Sequence, residues 1–505
     1  MSEPAAASRR GPITVSVMLA TSMVALDQTI ANVALPHIQG SVSASLEQIG
    51  WVLTSYLVAM AIMTPLTGWL SGRFSRKYLF LALILGFTVC SMLCGVATSL
   101  PQLVAFRFLQ GLFGAPLLPL SQAVLFDTYP PEKHSQAMAI WGGGSMLAPI
   151  LGPVLGGWLT EHLSWRWVFF INLPIGIIAA LGVWLFIEDR RSGLSKPFDF
   201  LGYGSLILFM GGLQMMLDRG PSLDWFSSLE IRIEAALAAI SLWVFVAHFM
   251  TTARPFFDRK LARDLNFMSG ALYAFFLGFL MVTALALMPT LMQQVLGYPV
   301  LTAGFLSVPR GLGTLLAMII VARMGRLDPR ISMLIGSMFY GLSVWQFMGF
   351  DLTMNQHQFG FATFVQGLGM GLMLVPATAM AFASVQPNLR AEGTALFSMV
   401  RNLGGSLGVA IMQAQLVANT GIMHSSLAGH IDPSDPVVRA DLGDKLLTTT
   451  GLVAVDAEVT RQALMVAYLN DFRLMIAAVI ICFLLVFMMR RHKNSAGEAA
   501  HATVE

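Results

Sequence analysis

Charged residues are scarce in this chain of 505 residues. Asp, Glu, Lys and Arg make up 11% of it, whereas soluble globular domains carry about 25%. So little charge cannot coat a body of this size in water, which excludes a soluble enzyme, a nucleic-acid binder and a disordered scaffold. The net charge of +3 is also too small to indicate an acidic partner such as nucleic acid.

Cysteines and ligand-binding motifs are also few. Three cysteines cannot form a disulfide framework. The nine histidines show no metal-ligand spacing, and the phosphate-binding pattern G-x-x-x-x-G-K-[ST] is absent. We therefore expect no metal, no cofactor and no nucleotide hydrolysis by such a loop. The energy for any transport must then come from an ion gradient or from a partner protein.

Apolar residues dominate what is present: 56% of the chain is hydrophobic, and the mean hydropathy is +0.71. A helix needs about 20 apolar residues to cross a bilayer core, and lipid requires each segment to satisfy its own backbone groups. Fourteen such stretches predict an all-α polytopic membrane protein. They lie near residues 13–36, 49–71, 78–97, 102–124, 136–158, 167–188, 200–218, 231–252, 268–294, 302–322, 331–350, 359–383, 396–419 and 472–489.

The positions of Lys and Arg orient these stretches. Twenty of the 30 basic residues fall in the termini and in alternate connecting segments, and only Arg166 and Arg219 fall in the six short segments between them. Because cytoplasmic loops carry the basic excess, both termini are predicted to be cytoplasmic. Residues 420–470 form an outer loop long enough to cross regardless of charge, with a turn at 432–436 and a short amphipathic helix over 456–470.

Similar features recur in the two ends of the chain. A short basic loop follows both the second and the tenth stretch, and the fifth and thirteenth stretches are rich in glycine. Repeated halves around a midplane site are typical of secondary transporters. The predicted units are a cytoplasmic N-terminus (1–12), an N-terminal six-helix half (13–188), an inserted helix hairpin with linkers (189–267), a C-terminal six-helix half (268–489) and a cytoplasmic tail (490–505).

Two opposite charges lie inside the predicted spans. Asp27 is about 13 Å from the outer end of the first span and Arg107 about 8 Å from the outer end of the fourth. A charge in the membrane is costly unless it is paired or hydrated, so these residues are candidates for a proton-exchanging carboxylate and its guanidinium partner. The alternatives are a structural carboxylate that bonds neighbouring helices and an arginine that snorkels to the interface.

Five further polar residues in the spans are candidates for a substrate cavity, although bonding between helices would also explain them. They are Asn32, Gln110, Arg310, Arg401 and Asn402. Residues 404–408 fit the serine-hydrolase pattern G-x-S-x-G, but that elbow needs a strand, a turn and a helix, and here it falls in a predicted apolar helix. An intramembrane hydrolase using Ser406 is therefore a remote alternative, as is a scaffold that transports nothing.

Several motifs resemble one family. Residues 26–36 read L-D-Q-T-I-A-N-V-A-L-P, Arg107 is followed by Gln110, Gly111 and Gly114, and residues 165–174 read W-R-W-V-F-F-I-N-L-P. Residues 143–157 fit G-x8-G-P-x-x-G-G. Together they resemble the fourteen-span drug:proton antiporter branch (EmrB/QacA type) of the major facilitator superfamily. This resemblance implies the major facilitator fold, with two six-helix halves and an inserted two-helix hairpin.

The resemblance also implies a function. It is proton-coupled efflux of amphipathic drugs or lipophilic compounds across the bacterial inner membrane by alternating access, without enzymatic activity. The partners implied are small drug-like molecules, protons, the lipid bilayer, a periplasmic membrane-fusion adaptor and a TolC-type outer-membrane channel. A dedicated exporter of one metabolite, such as a fatty acid, a siderophore or a vitamin, remains the alternative.

The resemblance assigns roles to particular residues of this sequence. Asp27 and Arg107 would couple protons. The antiporter motif, expected to form a pliable seal, comprises Gly143, Gly152, Pro153, Gly156 and Gly157. The cytoplasmic gating loop comprises Gly68, Arg73, Arg76 and Lys77. This loop departs from the family pattern, because Gly72 replaces the usual acid and Ser75 replaces a glycine, so an acid-based latch within the loop is in doubt.

Overall fold

A computed structural model describes residues 3–44, 46–130, 133–189, 197–323, 328–386, 389–431, 438, 443 and 448–489. Over these residues the chain is helical and contains no strand. The helices are α1 (Glu3–Val42), α2 (Leu46–Ile49), α3 (Trp51–Met63), α4 (Thr67–Arg73), α5 (Arg76–Val96), α6 (Leu100–Gly114), α7 (Leu117–Thr128), α8 (His134–His162), α9 (Trp167–Phe170), α10 (Asn172–Phe186), α11 (Phe200–Arg219), α12 (Leu229–Thr251), α13 (Arg259–Arg263), α14 (Leu265–Thr290), α15 (Val300–Arg323), α16 (Pro329–Met348), α17 (Gln356–Phe382), α18 (Arg390–Ala428) and α19 (Thr449–Leu485).

The helices match the predicted membrane spans. Twelve helical segments of the described part are long and apolar enough to cross a bilayer, and α3 with α4 form a thirteenth that bends by 53°. The bend follows Pro65, which cannot donate a helical hydrogen bond. The predicted fifth span is α8, whose 29 residues extend about 43 Å at 1.5 Å per residue. The all-helical membrane fold is therefore confirmed, and the count of fourteen spans stays a prediction.

The packing of the helices repeats between the two ends of the chain. In the first half α8 packs on α1 and α6 packs on α3; in the second half α18 packs on α14 and α17 packs on α15. Glycines allow the close contacts in both halves. A Cβ on Gly152 would lie 2.0 Å from Thr29 Oγ1, and one on Gly404 would lie 1.9 Å from the Phe275 carbonyl oxygen. Two six-helix halves of the same arrangement are thus present.

The inserted hairpin, α11 and α12, lies against both halves. On α11, Tyr203 donates a hydrogen bond to the Ile62 carbonyl oxygen over 3.1 Å, and Gln214 accepts one from Ser406 over 2.8 Å. Ile62 belongs to α3 and Ser406 to α18, so α11 bridges the first half and the second. Ser406 lies in the middle of a continuous helix and not on the strand-to-helix elbow that a hydrolase requires.

The outer segment differs from the prediction. Residues 420–470 were expected to be mainly loop, but α18 continues to Ala428 and α19 begins at Thr449. The expected short helix over 456–470 is part of α19, which continues without a break into the last span. Gly451 is the last glycine before the end of that helix and no proline follows it there, so nothing in the sequence interrupts it. The predicted turn at 432–436 lies outside the described residues.

Candidate functional site

Asp27 and Arg107 form a direct ion pair inside the first half. The Arg107 Nη1 atom lies 2.6 Å from Asp27 Oδ2, and both side chains are 0% exposed. The predicted pairing of the first and fourth spans is thereby observed. A short, charge-assisted hydrogen bond is among the stronger polar contacts in proteins, and here it joins the only acid of α1 beyond its first turn to α6.

Two amides complete the shell around the Asp27 carboxylate. Gln110 Nε2 donates to Asp27 Oδ1 over 2.9 Å, and Asn172 Nδ2 donates to the same oxygen over 3.0 Å. Gln110 was predicted as a candidate for the substrate cavity, and the structure places it, fully buried, in this network. With three donors in total, both oxygens of the carboxylate are hydrogen-bonded within the protein.

The remaining contacts orient Arg107 and Asn172. Arg107 Nε donates to the Val52 carbonyl oxygen over 3.2 Å, and the guanidinium lies 4.3 Å from the centre of the Tyr56 ring. Asn172 also donates to Ser91 over 2.9 Å. These residues come from α3, α5 and α10. The network therefore ties five spans of the first half to one carboxylate.

A glycine makes the approach of Arg107 to α3 feasible. A Cβ on Gly111 would lie 2.5 Å from the Tyr56 carbonyl oxygen, so only glycine lets α6 approach α3 this closely. The motif Arg107, Gln110, Gly111 thus combines the two bonding side chains with the residue that removes the steric barrier between the helices. In this conformation the Asp27 carboxylate needs no hydrogen bonds from water, because protein donors supply them.

Sequence reasoning missed Asn172, Tyr56 and Ser91 as members of this site. Asn172 could have been identified from the sequence, because it lies in the motif at 165–174 and is an amide within an apolar span; the structure shows that it is buried. Tyr56 and Ser91 carried no comparable signal, because a tyrosine or a serine in a span is common and is satisfied in many ways.

The other cavity candidates do not join this network. Asn32 and Asn402 are exposed, and Arg310 is half-buried and donates to the Met281 carbonyl oxygen over 3.2 Å. Arg401 is 8% exposed and has no hydrogen-bond or ion-pair partner among the residues that the structure describes. Arg310 and Arg401 are thus two cations within spans of the second half that form no ion pair with an acid among the described residues.

The antiporter motif lies between the two halves. On its α1 side, Gly156 packs against Ile30, and a Cβ there would lie 3.2 Å from Ile30 Cγ2. On its α15 side, a Cβ on Gly143 would lie 3.2 Å from Leu315 Cδ2. Gly157 has open space at its Cβ position, and the side chain of Pro153 lies outside the described part. Small residues therefore let α8 contact both α1 and α15.

The gating loop lies where the halves meet at the predicted cytoplasmic end. A Cβ on Gly68 would lie 2.8 Å from Glu392 Cα on α18, so this glycine allows the two halves to touch. Arg76 pairs with Asp127 at the end of α7, and Arg390 of the second half lies 3.9 Å from the same carboxylate. Asp127 thus provides the acid that the loop itself lacks.

The remaining loop residues and an aromatic pair extend this contact. Arg73 lies over the Trp69 ring at 5.8 Å, and Lys77 is in the first turn of α5. Phe126 of the first half and Phe382 of the second have ring centres 5.1 Å apart. The two halves are therefore packed together at the predicted cytoplasmic end in this conformation.

Comparisons with known proteins agree with this architecture. The model of the Major Facilitator Superfamily matches residues 17–409. The chain belongs to the major facilitator superfamily. It is 38% identical to the multidrug export protein EmrB of Haemophilus influenzae, over 85% of this chain and 84% of the relative.

Another relative and one solved structure extend the comparison. The chain is 37% identical to the fatty acid resistance protein FarB of Neisseria gonorrhoeae, over 83% of each chain. The crystal structure of the human organic anion transporter MFSD10 matches with a TM-score of 0.60 at 15% identity, over 94% of this chain and 99% of that one. The structural match at this identity supports the fold alone.

The Asp27–Arg107 pair predicts strong thermodynamic coupling. Asp27→Asn or Arg107→Gln leaves one buried charge unpaired, and each single change should lower stability by about 3–5 kcal/mol. The double variant should lose much less than the sum, because neither charge remains. Thermal unfolding of the purified protein in detergent gives the three values, and Asn32→Ala, at an exposed position of the same helix, is the control. Additive losses would show that the two charges do not interact.

Proposed function

We propose that this protein exports amphipathic small molecules across the bacterial inner membrane in exchange for protons. The observation that carries the proposal is the Asp27 carboxylate, which is 0% exposed and held by Arg107, Gln110 and Asn172. Replacing a buried ion pair with apolar residues is often neutral or stabilising, so stability alone does not explain why this pair is present. Ionisable groups inside the membrane are functional by default. Multidrug export is the printed activity of relatives that share most of the chain.

In this proposal, proton exchange at Asp27 is linked to the relative movement of the two halves. In the closed network Asp27 is an anion, and its three donors stabilise the charge. A proton that reaches Asp27 from the outer side neutralises it and weakens the bond to Arg107. Arg107 keeps the Val52 carbonyl and the Gln110 amide oxygen as acceptors. The halves then rock, the proton leaves Asp27 towards the cytoplasm, and the ion pair forms again.

The contacts at the predicted cytoplasmic end act as the inner gate in this proposal. They include the Arg390–Asp127 pair at 3.9 Å and the Phe126–Phe382 contact. Both must break before a substrate can enter from the cytoplasm. The glycines of α8 let that helix slide between α1 and α15 without large side chains to displace. The orientation rests on the basic residues of the connecting segments.

Arg310 and Arg401 favour a second candidate function, the export of one acidic metabolite such as a fatty acid. Both lie beside α14 in the second half: Arg310 bonds the Met281 carbonyl oxygen, and the Arg401 main chain packs on Gly278. Neither forms an ion pair in the described part of the chain. A carboxylate or sulfonate on a substrate would complement them. FarB, at 37% identity, is named as a fatty acid resistance protein.

A substrate panel in proteoliposomes tests both functions. The probes are ethidium, an amphipathic cation; progesterone, a neutral lipophile; and taurocholate, an amphipathic anion. Each is added under an imposed pH gradient, and proton movement is compared with protein-free liposomes. We expect proton flux with compounds of more than one charge type. Flux with taurocholate alone would favour the dedicated exporter, and flux with none of the three would contradict antiport of amphipathic molecules.

We also propose that the outer ends of α18 and α19 dock a periplasmic membrane-fusion adaptor, which would connect to a TolC-type outer-membrane channel. The two helices extend beyond the predicted spans and are linked there by His424 and Asp456 at 3.0 Å. Apolar side chains remain exposed on both: Ile422 at 60%, Leu452 at 48% and Val453 at 67%. An apolar helical surface outside the bilayer fits a helical partner.

Aspartate substitutions test this docking surface. Ile422→Asp and Val453→Asp place a charge in the proposed contact and should weaken binding of a co-expressed adaptor about tenfold or more. Ser425→Asp changes an exposed polar residue of the same helix that bonds only its own backbone, and it is the control. Affinity is measured with purified adaptor and protein in detergent. Unchanged affinity in both apolar-site variants would place the adaptor elsewhere.

A further inference from the structure

A second carboxyl group lies buried in the other half of the protein, and no function described so far uses it. Asp471 on α19 is 0% exposed, and neither of its carboxylate oxygens has a hydrogen-bond partner among the described residues. Asp27, by contrast, has three donors. A buried carboxylate without a donor is much more costly than one in an ion pair.

The neighbours of Asp471 do not supply a donor. Tyr468, one turn earlier, donates its hydroxyl proton to Thr290 of α14 over 2.9 Å. One residue later, the Phe472 ring stacks on Phe347 of α16 at 5.3 Å. Arg473 turns outwards and bonds Asn470 over 3.0 Å, so the nearest cation in the sequence does not pair with Asp471. The surroundings of the carboxyl group are therefore apolar or already bonded.

The other titratable or charged groups on the packed elements are engaged or distant. Tyr340 of α16 donates to the Leu280 carbonyl oxygen, and His424 of α18 bonds Asp456 of α19. Arg401 of α18 lies beside Gly278 of α14. Tyr273 of α14 and Cys482 of α19 are buried, and Cys482 lies eleven residues beyond Asp471, about 16 Å along the helix.

The two halves place Asp471 at the position of Asn172. Adding 299 to the residue number of each buried position between 167 and 188 gives the number of a buried residue in α19 or directly after it. Val168, Phe169, Asn172, Gly176, Ala179, Ala180, Val183 and Ile187 correspond to Ala467, Tyr468, Asp471, Met475, Ala478, Val479, Cys482 and Val486. The packing corresponds too, since α10 contacts α1 and α5 while α19 contacts α14 and α16. Asp471 thus lies in the second half where Asn172 contacts the Asp27 carboxylate in the first.

We propose that Asp471 is a second proton-binding group of this protein, protonated in the conformation described and ionised when movement of α19 against α14 admits water. The step is simple: the carboxylic acid gives its proton to water, and the carboxylate later takes one back. Asp27 and Asp471 then hold opposite protonation states in this conformation, since the first is an ion pair and the second is neutral. The inference rests on the proposed antiport only for its use in transport, because proton binding itself is a property of the chain.

Infrared spectroscopy of the purified, substrate-free protein tests this without any transport measurement. At about pH 6, where an exposed aspartate is ionised, we expect a carboxylic-acid C=O band in the wild-type protein. The band should disappear in Asp471→Asn and shift in Asp471→Glu, which keeps the carboxyl group if the asparagine variant folds poorly. Asp351→Asn, at an exposed loop carboxylate that bonds Thr353, should leave the band unchanged.

The outcomes separate this inference from the proposed function. Absence of the band in the wild-type protein, or its persistence unchanged in Asp471→Asn, would overturn the assignment to Asp471 whatever the transport assays show. A band that disappears in Asp471→Asn, in a protein that moves no panel compound, would support the proton site and contradict only the antiport. Loss of the band in Asp27→Asn alone would assign the bound proton to Asp27 instead.

Discussion

The structure depends on one interaction, the buried pair between Asp27 and Arg107 at 2.6 Å. Inside a bilayer an unpaired ion is costly, and an opposite charge or several donors reduce that cost. Around Asp27 this requirement fixes the distances among α1, α6 and α10, and through Arg107 and Asn172 it also includes α3 and α5. In the proposed cycle, protonation of Asp27 removes the ion pair at the centre of this network. Under the proposed antiport, this local change of charge leads to movement of a whole half.

The rest of the architecture permits that movement. Most contacts inside each half are between apolar side chains and glycines, which hold the helices closely together. At the predicted cytoplasmic end, the two halves contact each other through an ion pair around Asp127, an aromatic pair and close approaches at glycines. Such contacts can break and form again without disturbing the interior of either half. The hairpin α11–α12 bonds to both halves through Tyr203 and Gln214, and so it must follow or restrain their relative motion.

Much of this was predictable from the sequence because the bilayer imposes strong rules. Hydropathy located the helices, and the depths of Asp27 and Arg107 indicated that they could pair. The sequence could not show that Asn172 reaches the same carboxylate, because contacts among three helices depend on their rotation about their own axes. The helical outer segment was missed because a polar stretch between two spans was interpreted as a loop, although it contains no helix-breaking residue over most of α19. The acid opposite Arg76 was missed because Asp127 lies on another helix.

In the proposed cycle, Asp27 links proton movement to the motion of the halves. The most direct measurement compares two rates in proteoliposomes for a compound that the wild-type protein transports: net transport driven by a pH gradient, and exchange of labelled for unlabelled compound without a gradient. We expect Asp27→Asn to lose gradient-driven transport but to keep exchange, and Asp351→Asn to keep both. Gradient-driven transport at the wild-type rate in Asp27→Asn would contradict it.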